Sequence, residues 1–117
     1  MTTLLLKAIQ NAAVHIGATY LYMAIGHGTT AESISQNGCI SEDQRVATTN
    51  TIVTTTNASD TSQHSGSFTI SGATLALTEA CVMTAAVAGD GAARSKFDVL
   101  NLIQNDVIVL VFKFVVS

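Results

Sequence analysis

Charge is the scarcest resource in this chain. Only 11% of its 117 residues are Asp, Glu, Lys or Arg, against 48% hydrophobic, where an ordinary soluble domain carries about 25% charged residues. The five basic residues, Lys7, Arg45, Arg94, Lys96 and Lys113, are scattered, and the net charge is -3. No basic stripe with interleaved aromatics exists, so nucleic acid is not an expected partner. Tryptophan is absent and only two tyrosines and four phenylalanines occur. That counts against a carbohydrate-binding β-sandwich, whose exposed aromatics would stack on sugar rings. Proline is absent too, so the turn signals are those of Gly and Asn. The two cysteines, Cys39 and Cys81, have neither C-x-x-C spacing nor a neighbouring histidine. Buried free thiols are the expected state, and the sequence leaves a disulfide between them open.

Long apolar runs are missing as well. The opening "MTTLLLKAIQNAAVHIG" is interrupted by Lys7, Gln10 and Asn11, unlike a signal peptide. The closing "DVIVLVFKFVVS" is broken by Lys113, and a bilayer span needs about 18 continuous apolar residues. No membrane is expected as a partner. With so little charge, a surface stays soluble through Thr, Ser and Asn, or it belongs to a subunit packed against other chains. The second reading is the stronger.

The length fits one domain, 1–117. Leu5, Ala8, Ile9, Ala12 and Ile16 recur at helical spacing, with Thr2 or Thr3 to cap and Gly17 to stop. This predicts an N-terminal helix over 1–17 and a β-sandwich over 18–117. "ATYLYMAIG" reads as a strand, and "GHGTTAESISQNGCISED" as a polar loop. "QRVATTNTIVTTTN" reads as one long strand or a strand pair, "ASDTSQH" as a turn, and "SGSFTISG" as a strand with Phe68 and Ile70 on one face. "ATLALTEACVMTA", "ARSKFDVL" and "DVIVLVFKFVVS" supply the remaining strands. The expected fold class is mainly β: an antiparallel β-sandwich or barrel, jelly-roll-like, of about six or more strands with one N-terminal helix.

The last strand is the most informative. Ile108, Leu110, Phe112, Phe114 and Val116 share one side, the expected core side; Val107, Val109, Val111, Lys113 and Val115 share the other. Four valines on a face that should be polar require a cover, either the N-terminal helix or a neighbouring subunit. Val107, Val109, Val111 and Val115 are therefore the candidate subunit interface.

Catalytic signals are poor. "GHGTT" lacks the Lys-Ser/Thr ending of a phosphate loop. His15, His27 and His64 fall in three elements, without zinc spacing, and are expected on a helix surface or in loops. His64 near Ser67 is a lone neighbour pair, no G-x-S-x-G elbow occurs, and Asn57-Ala58-Ser59 matches a glycosylation acceptor that Thr/Ser-rich chains produce by chance. No catalytic, metal or cofactor site is expected, and no cofactor. Glu79 and Arg94 lie at comparable distances from a turn near Gly89-Asp90-Gly91, which predicts a structural pair across a hairpin.

The same residues carry a likeness. The segment "LTEACVMTAAVAGDGAARSKFDVLNLIQNDVIVLVFKFVV" resembles the C-terminal half of small tailed-phage virion structural proteins, in which Leu/Ile-Thr-Glu-Ala-Gly precedes a glycine turn, Ala-Arg, Phe, Gly-Asp and a closing strand. Leu77, Thr78, Glu79, Ala80, Ala93, Arg94, Phe97 and Asp106 match, while Cys81 and Asn105 stand where glycines are usual. Upstream, Gly26, Gly28, Thr29, Thr30 and Ala31 match a Gly-x-Gly-Thr-Thr-Ala loop. The resemblance implies a non-enzymatic, homo-oligomeric component of the virion, partnered by the major capsid protein or other virion subunits. Such components are capsid decoration (cement) proteins or tail and tail-fibre parts.

Overall fold

A computed structural model describes residues 3–33 and 35–116, with side chains from Lys7 onward. The chain runs α1 (Thr3–Thr19), β1 (Tyr22–Gly26), β2 (Glu42–Ala47), β3 (Thr49–Val53), β4 (Thr61–Thr69), β5 (Thr74–Met83), β6 (Gly91–Ile103) and β7 (Val107–Val115). It is mainly β, with two antiparallel sheets ordered β2-β1-β5-β6 and β3-β4-β7. The expected antiparallel sandwich with one N-terminal helix is the observed architecture, with seven strands.

Alternation builds the core. Met23 and Ile25 of β1 and Leu75, Leu77 and Ala80 of β5 meet Phe68 of β4 and Ile70 just beyond it. Ile108, Leu110 and Phe112 of β7 pack on this cluster from one side, so the even face of the last strand does point inward. The register of β5 against β6 shifts between Leu77 and Glu79. The alternation of β5 shifts there too: Leu75 and Leu77 face the core below the irregularity and Ala80 above it, which turns Glu79 and Cys81 to the outside of the sheet.

The "QRVATTNTIV" run is a pair of strands separated by Thr48 alone, and the two belong to different sheets. The Thr48 N–H donates to the Leu21 carbonyl at 2.8 Å, pinning the corner where the chain changes layer. "ASDTSQH" is not a turn throughout: Thr61 to His64 form the first half of β4. The polar run that resembles a turn is a strand whose polar side chains are buried, Thr61, Ser62 and His64 all at 0% exposure. Strand β6 runs to Ile103, beyond the "ARSKFDVL" segment. Asn105 adopts φ 72°, a left-handed turn conformation that asparagine tolerates better than most residues.

The helix continues two residues past Gly17 to Thr19, whose hydroxyl donates to the His15 carbonyl. Gly17 is a packing residue rather than a stop, because a β-carbon there would run into the Asn50 side chain. The buried stripe is Ile9, Ala13 and Gly17, with Ala12 half-buried and Ala8 exposed, one position round from the expected stripe. Thr2 and the side chains of Thr3 and Leu5 lie outside the described residues. Helix α1 packs against β3, β4 and β7, on the face that carries Asn50 and its strand partner His64. Sheet β2-β1-β5-β6 and α1 thus share one face of the other sheet end to end, which gives a body of 52 × 28 × 25 Å.

Gly17→Leu should therefore destabilise the chain by about 1–3 kcal/mol through overpacking against Asn50. Ala18→Leu, on the exposed side of the same turn, should stay within about 0.5 kcal/mol of the parent. Urea midpoints of the three proteins check the comparison.

Candidate functional site

The outer face of sheet β2-β1-β5-β6 should be wet, yet Ala24, Glu79, Cys81 and Met83 on it are buried. Their cover is the connection between β1 and β2, residues 27–33 and 35–41. Glu79 holds it there. One carboxylate oxygen accepts the Ile40 N–H at 2.7 Å and Arg94 Nε at 2.8 Å. The other accepts the Gly28 N–H at 2.6 Å and the Ser41 N–H at 2.9 Å. Beside it the Thr78 hydroxyl donates to the Gly28 carbonyl at 2.7 Å. The "GHGTT" glycines are thereby explained. A β-carbon on Gly28 would collide with the Glu79 carboxylate, and one on Gly26 with the Ser41 carbonyl. The loop is glycine-rich because it closes on a side chain of its own protein.

Arg94 completes the clasp. Its Nη1 donates to the Thr30 carbonyl at 2.8 Å and to Gln36 Oε1 at 3.2 Å. Farther along, the Glu32 carboxylate accepts the Lys96 N–H, and Asn37 bridges to Asp90 and the Gly91 N–H. The expected Glu79–Arg94 pair is thus present, with two differences from a simple hairpin pair. The strand partner of Glu79 is Lys96 and that of Arg94 is Cys81, so the two charges meet diagonally. Their side chains are 0% and 3% exposed, so this is a buried pair rather than a solvated one. Burial pushes the Glu79 carboxyl up, but the Arg94 guanidinium and the Ser41, Ile40 and Gly28 N–H groups outweigh it and hold it below the usual carboxylate range.

A second polar cluster lies under α1. His64 Nε2 and Ser62 Oγ are 2.9 Å apart, and Asn50 Nδ2 donates to the same hydroxyl at 2.9 Å. Phe114 meets the imidazole edge-on at a centroid distance of 5.4 Å. Burial lowers the His64 pKa and keeps the ring neutral. His64 is therefore neither in a loop nor near Ser67, which points to the opposite, exposed face of β4. A hydroxyl and imidazole sealed at 0% exposure offer a substrate no approach. His15 is exposed on α1, and the exposed His27 pairs with Asp43 at 2.7 Å, which raises its pKa. Asp60 caps the turn before β4, accepting the Thr55, Thr56 and Asn57 N–H groups. The Asn57 N–H bond leads the causes that hold its carboxyl well below the usual range, against the opposing effect of burial.

The four valines of the candidate interface lie together on one face of β7. Val107, Val109, Val111 and Val115 are 46–63% exposed, and α1 lies on the other face of their sheet. No described residue of the same chain covers them. Both β6 and β7 are edge strands. Among the described residues, seven of the eleven exposed large hydrophobics lie on these two strands: Val99, Leu100 and Ile103 on β6 and the four valines on β7. Between the two edges the sandwich gapes into a cleft of about 270 Å³ lined by Phe97, Leu110 and Phe112 together with Ser95 and Lys113.

Loss of either clasp residue strands its partner in the interior, so Glu79→Ala and Arg94→Ala should each cost about 3–5 kcal/mol. The double variant should cost less than their sum; strict additivity in denaturant unfolding would show no coupling. Acid should act in two stages. Below about pH 6.5 the unfolded chain takes a proton that buried His64 resists, which lowers stability, while protonation of His27 beside Asp43 acts in the opposite direction from the solvent-exposed side. Below about pH 4.3 the contribution of ionised Glu79, fully present above that value, is lost as pH falls through its lowered folded pKa. Glu79→Gln should be less stable at pH 7 and should lose less between pH 5 and pH 3, as read from urea midpoints.

Comparison of the chain with known protein families, with curated proteins and with solved structures finds no match in any of the three.

Proposed function

We propose that this chain is a non-enzymatic structural subunit of a tailed-phage virion, a capsid decoration (cement) protein that bridges capsid subunits. The observation that carries the reading is the apolar surface of β6 and β7. A solitary soluble domain does not keep four valines on one strand face beside an open, aromatic-lined edge. Burial between copies or against a shell removes that surface from water and contributes stability to the particle. The action is mechanical: a rigid body spanning a junction between capsid subunits resists the outward pressure of packaged DNA. The sequence likeness favours the same class. Its two best-matched motifs, Gly-x-Gly-Thr-Thr-Ala and Thr-Glu-Ala with Ala-Arg, are the two sides of the Glu79 clasp.

A tail or tail-fibre component is the second reading, since the same likeness and the same edges serve it. The carbohydrate-binding reading loses ground on placement. Phe68 is buried, and Tyr20, Tyr22, Phe97, Phe112 and Phe114 are all half-buried, leaving no open aromatic platform among the described residues.

The purified protein is expected to oligomerise or to bind capsids of its source virus. Light scattering from a monodisperse monomer without affinity for those capsids would sink the proposal. Quantitative mass spectrometry of gradient-purified virions should find the chain in fixed, high proportion to the major capsid protein; a few copies per particle would move it to the tail. Val109→Asp places its charge in solvent on the isolated chain, so circular dichroism and unfolding should change by no more than about 0.5 kcal/mol. Assembly or capsid binding should be lost. A variant that assembles fully would refute this face as the interface.

A further inference from the structure

The Glu79 clasp fixes more than charge. Glu79 and Cys81 are two residues apart on one face of β5, and Glu79 holds the N–H groups of Ile40 and Ser41. Cys39, next in the chain, is thereby set over Cys81. Its sulfur lies 2.7 Å from the Cys81 sulfur, although the two residues are 42 positions apart in sequence. That is closer than the roughly 3.5–4.0 Å of ordinary nonbonded contact. Both are free thiols here, Cys81 fully buried and Cys39 partly exposed. Cys39 also contacts the Ala24 carbonyl on the neighbouring strand at 3.7 Å, so its side chain is directed into the sheet. Cys39 is the outer, half-buried residue of the pair and Cys81 the inner, buried one, so an outside oxidant meets Cys39 first and Cys81 resolves the product.

We propose that Cys39 and Cys81 are a redox latch, closing into an intramolecular disulfide that ties the β1–β2 connection covalently to β5. The oxidant is a low-molecular-weight disulfide. The Cys39 sulfur, having given up its proton, attacks one sulfur of the oxidant, forming a mixed disulfide and expelling one thiolate. The Cys81 thiol loses its proton and attacks the Cys39 sulfur, expelling the second. Two protein thiols and one small disulfide become one protein disulfide and two small thiols. The latch backs up the clasp: once it is closed, protonating Glu79 no longer frees the connection from the sheet. Cross-linking residues so far apart in sequence restricts the unfolded chain strongly.

The test treats the reduced, folded full-length chain with excess oxidised glutathione. Both thiols should disappear together, the intact mass should fall by two hydrogens, and a non-reducing digest should join the Cys39 peptide to the Cys81 peptide within one chain. The melting temperature should rise by roughly 5–15 °C and return on adding dithiothreitol. Cys81→Ala should accumulate a stable glutathione adduct on Cys39, and Cys39→Ser should leave Cys81 unreacted while folded. Two thiols that stay titratable, a persistent glutathione adduct on the wild type, a bond only between chains, or a closed bond without a higher melting temperature would each overturn the latch. Because no assembly is measured, its failure leaves the virion reading untouched, and the converse also holds.

Discussion

A single carboxylate, Glu79, organises everything on the outer side of the β2-β1-β5-β6 sheet. It accepts three backbone N–H groups and one guanidinium nitrogen in a place water does not reach. A buried charge is tolerable only when its acceptor sites are filled, and the fold fills them by wrapping the β1–β2 connection back over β5. That wrapping excludes water from Ala24, Cys81 and Met83, requires glycine at positions 26 and 28, and brings Arg94 to the Thr30 carbonyl. Removing the charge would loosen a layer as well as a pair.

The second sheet has a different logic. One face of β3-β4-β7 is divided between the hydrophobic core, around Phe68, and the helix, around His64 and Asn50. With the helix engaged there, the opposite face has no cover of its own. On β3 and β4 that face ends in Thr49, Thr51, Ser67 and Thr69, which water satisfies. On β7 it ends in valines. The apolar character is therefore confined to one strand of the sheet rather than spread over a generally greasy face.

These two features divide the molecule's work. The clasp ties the β1–β2 connection to its sheet with few charges, while β6 and β7 carry most of the exposed apolar side chains among the described residues. Neither arrangement resembles a site for turning over a substrate. The Ser62–His64 pair is sealed beneath the helix, and the Glu79 oxygens are saturated by the protein's own donors.

Local pattern alone determined the strand class, the N-terminal helix and the two faces of β7, because alternation and helical spacing are short-range properties of the chain. It also picked out Glu79 and Arg94, since a charge amid apolar residues needs a partner and a hairpin limits where that partner can be. The tertiary structure decided what those residues hold. The backbone N–H groups of Gly28, Ile40 and Ser41 carry no sequence mark of their own; only the unexplained glycines at 26 and 28 hinted that something approached closely. Burial likewise turned "ASDTSQH" from an apparent turn into the start of a strand, because Ser62 meets Asn50 and His64 beneath α1 while the Thr61 hydroxyl is satisfied by Thr55 and Asp60. The placement of Cys39 over Cys81, and of the helix on one face of a sheet rather than the other, depends on contacts between distant segments. Such contacts are fixed by which surfaces can be buried together, and that is settled only when the whole chain has folded.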